Sequence, residues 1–223
     1  MSDALLVINL NPCATTRRGT RALVRAFKRL LSPGCRVLER HFKRVSPAAL
    51  ERIQPRAIVL GPQGVPFDAY PATEKQHLFN LIRSLQPPVL GVCGGHQALV
   101  LAHGGSIGPV HGGIAQHSYE GHQKETGFRP VRVNPSVDPL LSDLPENSRF
   151  YASHVEGVTT LPHTFELLGR GEACAVQIVR LRDRAHYGVQ FHPELGGDGT
   201  ALLHRFVALS GLSAREATHP PTP

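Results

Sequence analysis

Three short and almost wholly apolar runs, residues 4–10, 57–60 and 88–92, are each followed by a turn and then by a stretch with helical patterning. Runs this short and this continuously apolar suit strands buried on both faces, which points to a parallel sheet covered by helices. Residues 17–31 place Leu23, Val24, Phe27, Leu30 and Leu31 at helical spacing, with arginines on the opposite face, and Pro33-Gly34 ends that helix. Residues 35–42 read as a second strand. Ser46 as cap and Pro47 in the first turn open a short helix that ends near Pro55. Thr73 is placed to cap a helix running through Gln86, with Leu78, Leu81, Ile82 and Leu85 inward. The rhythm is β-α-β-α-β-α-β-α.

After residue 104 it changes. Residues 104–126 are rich in Gly and His and read as irregular loops or short strands. Strand-like segments follow at 127–133, 149–153, 164–169, 173–181 and 185–191, several separated by turns. Asp198 is placed to cap a last helix with Leu202, Leu203, Phe206, Val207 and Leu209 on its buried face, ending at Gly211. The expected fold is α/β: three layers, a mostly parallel central sheet flanked by helices, and an antiparallel extension in the second half. One domain is expected over 1–211, with 212–223 as a flexible tail.

The stretch Pro88-Val89-Leu90-Gly91-Val92-Cys93-Gly94-Gly95-His96-Gln97 is a strand, a tight turn and a helix start, with a thiol at the apex. Such a turn lifts its apex side chain out of the sheet and aims helix amides at whatever that side chain attacks. A cysteine nucleophile needs a base held in place by a third group. Gln190-Phe191-His192-Pro193-Glu194 offers both, since His192 and Glu194 are two apart and project to the same side of an extended chain. Cys93, His192 and Glu194 are therefore a candidate triad. Gly94 offers an amide for an oxyanion hole, and Gly61 or Gly64, in the turn after the third strand, offers a second.

Composition narrows the classes. No apolar run approaches the ~20 residues of a membrane helix. Met1-Ser2-Asp3 puts no basic region ahead of residues 4–10, so these read as a strand and not a signal peptide, and the cytoplasm is the expected location. Of the four cysteines, Cys13, Cys35 and Cys174 read as small buried apolar residues. No Cys/His cluster has zinc spacing and no P-loop pattern occurs, so no metal or cofactor is expected. The formal charge of +7 is uneven: residues 17–56 carry +10 and the remainder −3. That basic segment is a candidate docking face, and its lack of interleaved aromatics argues against nucleic acid.

Gly91-Val92-Cys93-Gly94-Gly95-His96-Gln97 resembles the G-x-C-x-G-H-Q elbow of class I glutamine amidotransferases, and Phe191-His192-Pro193-Glu194 resembles their F-H-P-E. The stretch from Ala152 to Pro162, with Ser153, His154 and Glu156, is similar to the S-H-x-D-x-V-x-x-L-P segment of the subgroup like the GMP synthetase amidotransferase domain. The resemblance spans most of residues 4–210. It implies a flavodoxin-like sheet and a thiol attack on the side-chain amide of glutamine. It further implies that a γ-glutamyl thioester forms and that ammonia passes to a separate ATP-dependent synthetase; the basic segment 17–56, singled out by charge and not by the resemblance, is the candidate face for docking it. The resemblance also implies that Gln97, Ser153 and His154 bind substrate, with Gly94 and Gly61 at the oxyanion and Gly64 as the alternative. The chain departs from the family in three places. It carries Gly61-Pro62-Gln63-Gly64, read as one inserted residue, where members have G-G-P or P-G-P-G. Gly94 stands where a larger residue is usual, and Glu156 where Asp is.

Two other readings stay open at this level. One is a stand-alone hydrolase of γ-glutamyl peptides or conjugates using the same triad. The other is a catalytically silent regulatory protein on the same scaffold.

Overall fold

The computed structural model describes residues 3–113 and 117–215. In chain order the elements are β1 (Ala4–Asn9), α1 (Arg18–Leu30), β2 (Arg36–His41), α2 (Pro47–Ile53), β3 (Ala57–Leu60), α3 (Ala72–Ser84), β4 (Val89–Val92) and α4 (Gly94–Ala102). There follow β5 (Ser106–Pro109), β6 (Glu125–Val133), β7 (Asn147–His154), β8 (Glu156–Thr160), β9 (Phe165–Arg170), β10 (Ile178–Leu181), β11 (His186–Val189) and α5 (Gly199–Leu209). Nine strands form one sheet in the order β2-β1-β3-β4-β11-β10-β9-β6-β7. The first five are parallel and the rest antiparallel, so the expected α/β architecture with its antiparallel extension is the one observed. β5 and β8 make a separate antiparallel pair.

Period two along β1 divides the interior. Leu5 and Val7 face α1 and α5, packing with Leu23, Phe27, Leu203 and Phe206. Leu6 and Ile8 face α3 and α4, packing with Leu78, Ile82, Ala98 and Leu99. Each such fully buried side chain contributes about 1.5–3 kcal/mol of transfer free energy, which is why these short runs hold as central strands. Ser46 caps α2 as its sequence implied, accepting from the Ala49 amide at 3.2 Å.

Several details differ from the sequence reading. Thr73 caps nothing: α3 begins at Ala72 behind Pro71, with no side-chain cap. Asp198 precedes α5 without capping it, because its carboxylate accepts from the Arg149 amide at 2.7 Å and ties the helix start to β7. The run 173–181 becomes a strand only at Ile178. The stretch 152–162 is broken at Val155 into β7 and β8, which lie in different sheets. Cys13 is exposed, with its sulfur 2.9 Å from Thr15 Oγ1, and Cys35 is half-buried; only Cys174 is a buried thiol of the expected kind. The segment read as a tail from 212 begins in contact with the fold. Leu212 is buried, the Ser32 amide donates to Ser213 O at 2.9 Å, and the Arg215 amide donates to Leu30 O at 2.7 Å. Residues 216–223 lie outside the described residues. Among the described residues, no helix is long and apolar enough to cross a membrane.

Candidate active site

The sheet's backbone makes the elbow. Gly91 and Gly188 sit side by side in the β4–β11 register. A Cβ on Gly91 would lie 2.5 Å from the Gly95 carbonyl oxygen, and one on Gly188 would lie 2.5 Å from His96 Nδ1. A Cβ on Gly95 would overlap the Leu60 carbonyl. The first turn of α4 therefore rests directly on the strands β3, β4 and β11. This close approach forces the sharp turn at Cys93, whose φ of 52° and ψ of −105° are strained for a residue with a side chain. Its amide donates to Val189 O at 2.8 Å, fixing the turn to β11. As the first residue of α4, Gly94 has an amide with no partner inside the helix.

β11 then delivers the second motif. His192 is anchored by its amide to Tyr151 O at 2.8 Å, and its Nδ1 lies 2.9 Å from Glu194 Oε1. His192 also lies within electrostatic reach of Cys93. The structure thus brings Cys93, His192 and Glu194, named from two motifs, to one place. Burial alone would lower the His192 pKa. The Cys93 charge, the hydrogen bond to Cys93 and the Glu194 carboxylate outweigh it and raise the value to about 11. A protonated His192 beside Cys93 is suited to protonating a leaving amine. Replacing Glu194 by Gln removes one of the groups that hold this proton. The expected result is an alkaline limb of the pH–rate profile moved to lower pH, with a rate loss on the order of 10²-fold. A profile left in place would show that Glu194 does not act on His192.

A cavity of about 60 Å3 adjoins Cys93. Its lining includes Gln97, Ser153 and His154, the residues assigned to substrate, and Gly64. Gly61 is placed elsewhere: its amide donates to Ile8 O at 2.9 Å and is committed to the edge of β1. Of the two glycines of this turn, Gly64 faces Cys93, with its own amide 3.0 Å from Asn11 Oδ1. Gln97 Nε2 donates to the Glu156 carbonyl at 2.7 Å and to Gln190 Oε1 at 3.3 Å, and Gln190 Nε2 lies 3.9 Å from Cys93 Sγ.

The remaining wall joins Gln63 and Glu156 to Tyr119, which no sequence motif singled out. Gln63 Nε2 donates to Gln97 Oε1 at 3.4 Å and to the Tyr119 hydroxyl at 3.2 Å. Tyr119 donates to Glu156 Oε2 at 2.8 Å. Burial raises the Glu156 pKa, and burial together with Glu156 raises that of Tyr119. Behind the wall, His154 Nε2 lies 3.2 Å from the buried Glu125, whose pKa is lowered first by that contact. Lys124 also lines the cavity. Among the described residues, no group of three or more His, Cys, Asp or Glu is placed to hold a metal.

The basic segment reaches the same end of the sheet. Arg17, Arg40 and Arg44 line a separate cavity of about 470 Å3 with Asn9 and His41 from the carboxyl ends of β1 and β2. Arg17 is paired with both oxygens of Glu39. Arg18, Arg21, Arg25, Lys28 and Arg29 are carried along α1.

Two buried histidines behind the site set an acid limit on the fold. Burial, and then nearby His154, push His96 down to about 3, and burial followed by Arg184 pushes His186 down to about 4. Both are neutral in the fold and take up protons on unfolding below about pH 6.5. Their stabilisation is present above that pH and is lost as pH falls toward 4 and 3, with a slope approaching about 1.4 kcal/mol per pH unit for each. His192 does not offset the loss, because a raised histidine contributes fully below 6.5 already. Denaturant unfolding at pH 6.5 and 5.0 should show a clear fall in stability; equal values would mean these rings are not buried neutral.

Residues 20–208 match the sequence profile described as glutamine amidotransferase class-I. The chain is 33% identical over 155 residues to the glutamine-hydrolysing GMP synthase subunit of Methanosarcina mazei, covering 68% of this chain and 75% of that protein. It is 32% identical over 173 residues to the glutamine-hydrolysing GMP synthase of Hamiltonella defensa, covering 71% of this chain and 30% of that longer protein. The crystal structure of a Thermoplasma acidophilum protein described as a GMP synthase subunit has the same fold. It superposes with a TM-score of 0.70 at 21% identity, over 95% of each chain.

Proposed function

The chain belongs to the class I glutamine amidotransferase family, and from that membership we propose that Cys93, His192 and Glu194 hydrolyse the side-chain amide of glutamine. The observation that carries the assignment is the His192–Glu194 contact at 2.9 Å, with His192 in electrostatic reach of a cysteine on a strained elbow. Cys93 Sγ attacks the amide carbon and the carbonyl π electrons move to oxygen. The Gly94 amide receives that oxyanion with a second amide from the Gly61–Gly64 turn. Gly64 is favoured there, because the Gly61 amide is fixed to the Ile8 carbonyl of β1 while that of Gly64 is held only by a side chain, Asn11. His192 gives its proton to nitrogen, the C–N bond breaks, and ammonia leaves a γ-glutamyl thioester on Cys93. Water then attacks the thioester while His192 takes a proton, and glutamate is released. Gln97, Ser153 and His154 hold the rest of the substrate.

The enzyme supplies ammonia to a synthetase carried on a separate chain, in keeping with relatives that are named as one subunit of a GMP synthase. We propose that this partner is ATP-dependent and docks against the basic face of segment 17–56, whose Arg17, Arg40 and Arg44 surround a cavity at the strand ends. The narrow space beside Cys93 favours free glutamine over a γ-glutamyl peptide, whose leaving group is far larger. Ammonia release from glutamine, set against amine release from γ-glutamyl dipeptides, tests this. At least about a tenfold preference for glutamine in kcat/KM is expected, equivalent to about 1.4 kcal/mol of discrimination. A preference for the dipeptides would replace this reading with the stand-alone hydrolase.

A further inference from the structure

The cavity beside Cys93, at about 60 Å3, is far below the roughly 300–1,000 Å3 of a site that encloses a small molecule. A side chain must leave before an amino acid enters. Most of the lining is held firmly. Gln97 Nε2 makes a 2.7 Å bond to the Glu156 carbonyl, Tyr119 makes a 2.8 Å bond to the Glu156 carboxylate, and His154 is paired with buried Glu125. Gln63 is held by two longer contacts, 3.4 Å to Gln97 Oε1 and 3.2 Å to the Tyr119 hydroxyl. Its Oε1 occupies the space that a Cβ on Gly94 would fill. The two departures from the family pattern around residues 63 and 94 are thus one feature: the glycine after the nucleophile makes room for the Gln63 carboxamide.

We infer that Gln63 is the gate of the glutamine site and a determinant of its specificity. Its carboxamide bridges the turn after β3 to α4 and Tyr119 in the wall of the cavity, and swings out when substrate enters. The inference rests on the reading of this site as a glutaminase. A substrate carboxamide carries the same N–H donors as Gln63 and satisfies Gln97 Oε1 and the Tyr119 oxygen in its place. The carboxylate of the product glutamate has no such donor, so Gln63 returns as glutamate leaves.

Alkylation by iodoacetamide, followed peptide by peptide, tests the gate without requiring turnover. Exposed Cys13 serves as the internal reference in the same molecule. Gln63→Ala, and Gln63→Asn, which is one methylene too short to reach, should alkylate Cys93 about three- to tenfold faster relative to Cys13, the effect of losing a hydrogen-bonded closure. The pH dependence of that alkylation should stay at its wild-type position, KM for glutamine should fall, and inhibition by glutamate should strengthen. Tyr119→Phe breaks the bridge from the other end and should shift the Cys93-to-Cys13 ratio the same way. A ratio at or below the wild-type value in these variants overturns the gate. Wild-type protein that alkylates as described but releases no ammonia from glutamine, even with its synthetase, contradicts the proposed function and leaves the gate standing.

Discussion

Cys93→Ala should remove glutamine hydrolysis almost entirely, by at least about 10⁴-fold in kcat, because Cys93 is the one thiol among the described residues that line the cavity. His192→Ala should lose about 10²–10⁴-fold, the range of a single positioned acid–base group. The double variant should be little worse than Cys93→Ala, since the two act as one unit and their losses do not add. The three surviving thiols cannot substitute. Cys13 is exposed in the loop after β1, Cys35 lies beside Ser32 at the start of β2, and burial pushes Cys174 up to about 12. The assay is ammonia and glutamate release from glutamine, run with and without the synthetase. Additive losses in the double variant would mean that His192 acts on something other than Cys93.

The largest expected loss of stability falls at Phe191, one residue before His192, the proposed base. Its ring stacks on Phe150 with centroids 3.8 Å apart and planes 4° apart, and both rings are fully buried. Phe191→Ala leaves a cavity between β7 and the end of β11 and should cost about 3–5 kcal/mol, a large share of the roughly 5–15 kcal/mol that holds a domain together. It should also lower activity in the molecules that remain folded, because His192 is positioned by the backbone that Phe191 anchors and by its own bond to Tyr151 O. Phe191→Leu keeps most of the volume and should be several-fold milder in free energy. Denaturant unfolding at pH 7 measures both variants. A loss below about 1 kcal/mol for Phe191→Ala would mean that the stack contributes little and that His192 is held from elsewhere.

Cys93, His192 and Glu194 could be named as candidates from the sequence because each lies in a local motif. The glycines around Cys93 write the close approach of α4 to the sheet into adjacent letters, and His192 and Glu194 are two residues apart. The alternating pattern was legible for the same reason, since period two in β1 sends Leu5 and Leu6 to opposite cores. What escaped depends on partners distant in the chain. Gln63 meets Tyr119 across 56 residues, and polar residues in irregular loops carry no periodic signal. Glu125 is buried because β6 pairs with β7 and brings it beside His154, a register that the sequence alone leaves open. The sequence favoured Gly61 over Gly64 as the second oxyanion glycine; β1 speaks against that order by taking the Gly61 amide. Asp198 had the letter of a helix cap, yet the Arg149 amide, from a strand 49 residues earlier, takes its carboxylate.

The central claim is an acyl group carried on Cys93. Wild-type protein mixed with glutamine, quenched in acid within the first turnover and mapped by peptide mass spectrometry, addresses it directly. The account predicts a γ-glutamyl adduct on the Cys93 peptide alone, released by hydroxylamine as a thioester is and missing from Cys93→Ala. Steady ammonia release with no adduct on that peptide, or an adduct on Cys13, Cys35 or Cys174, would contradict it.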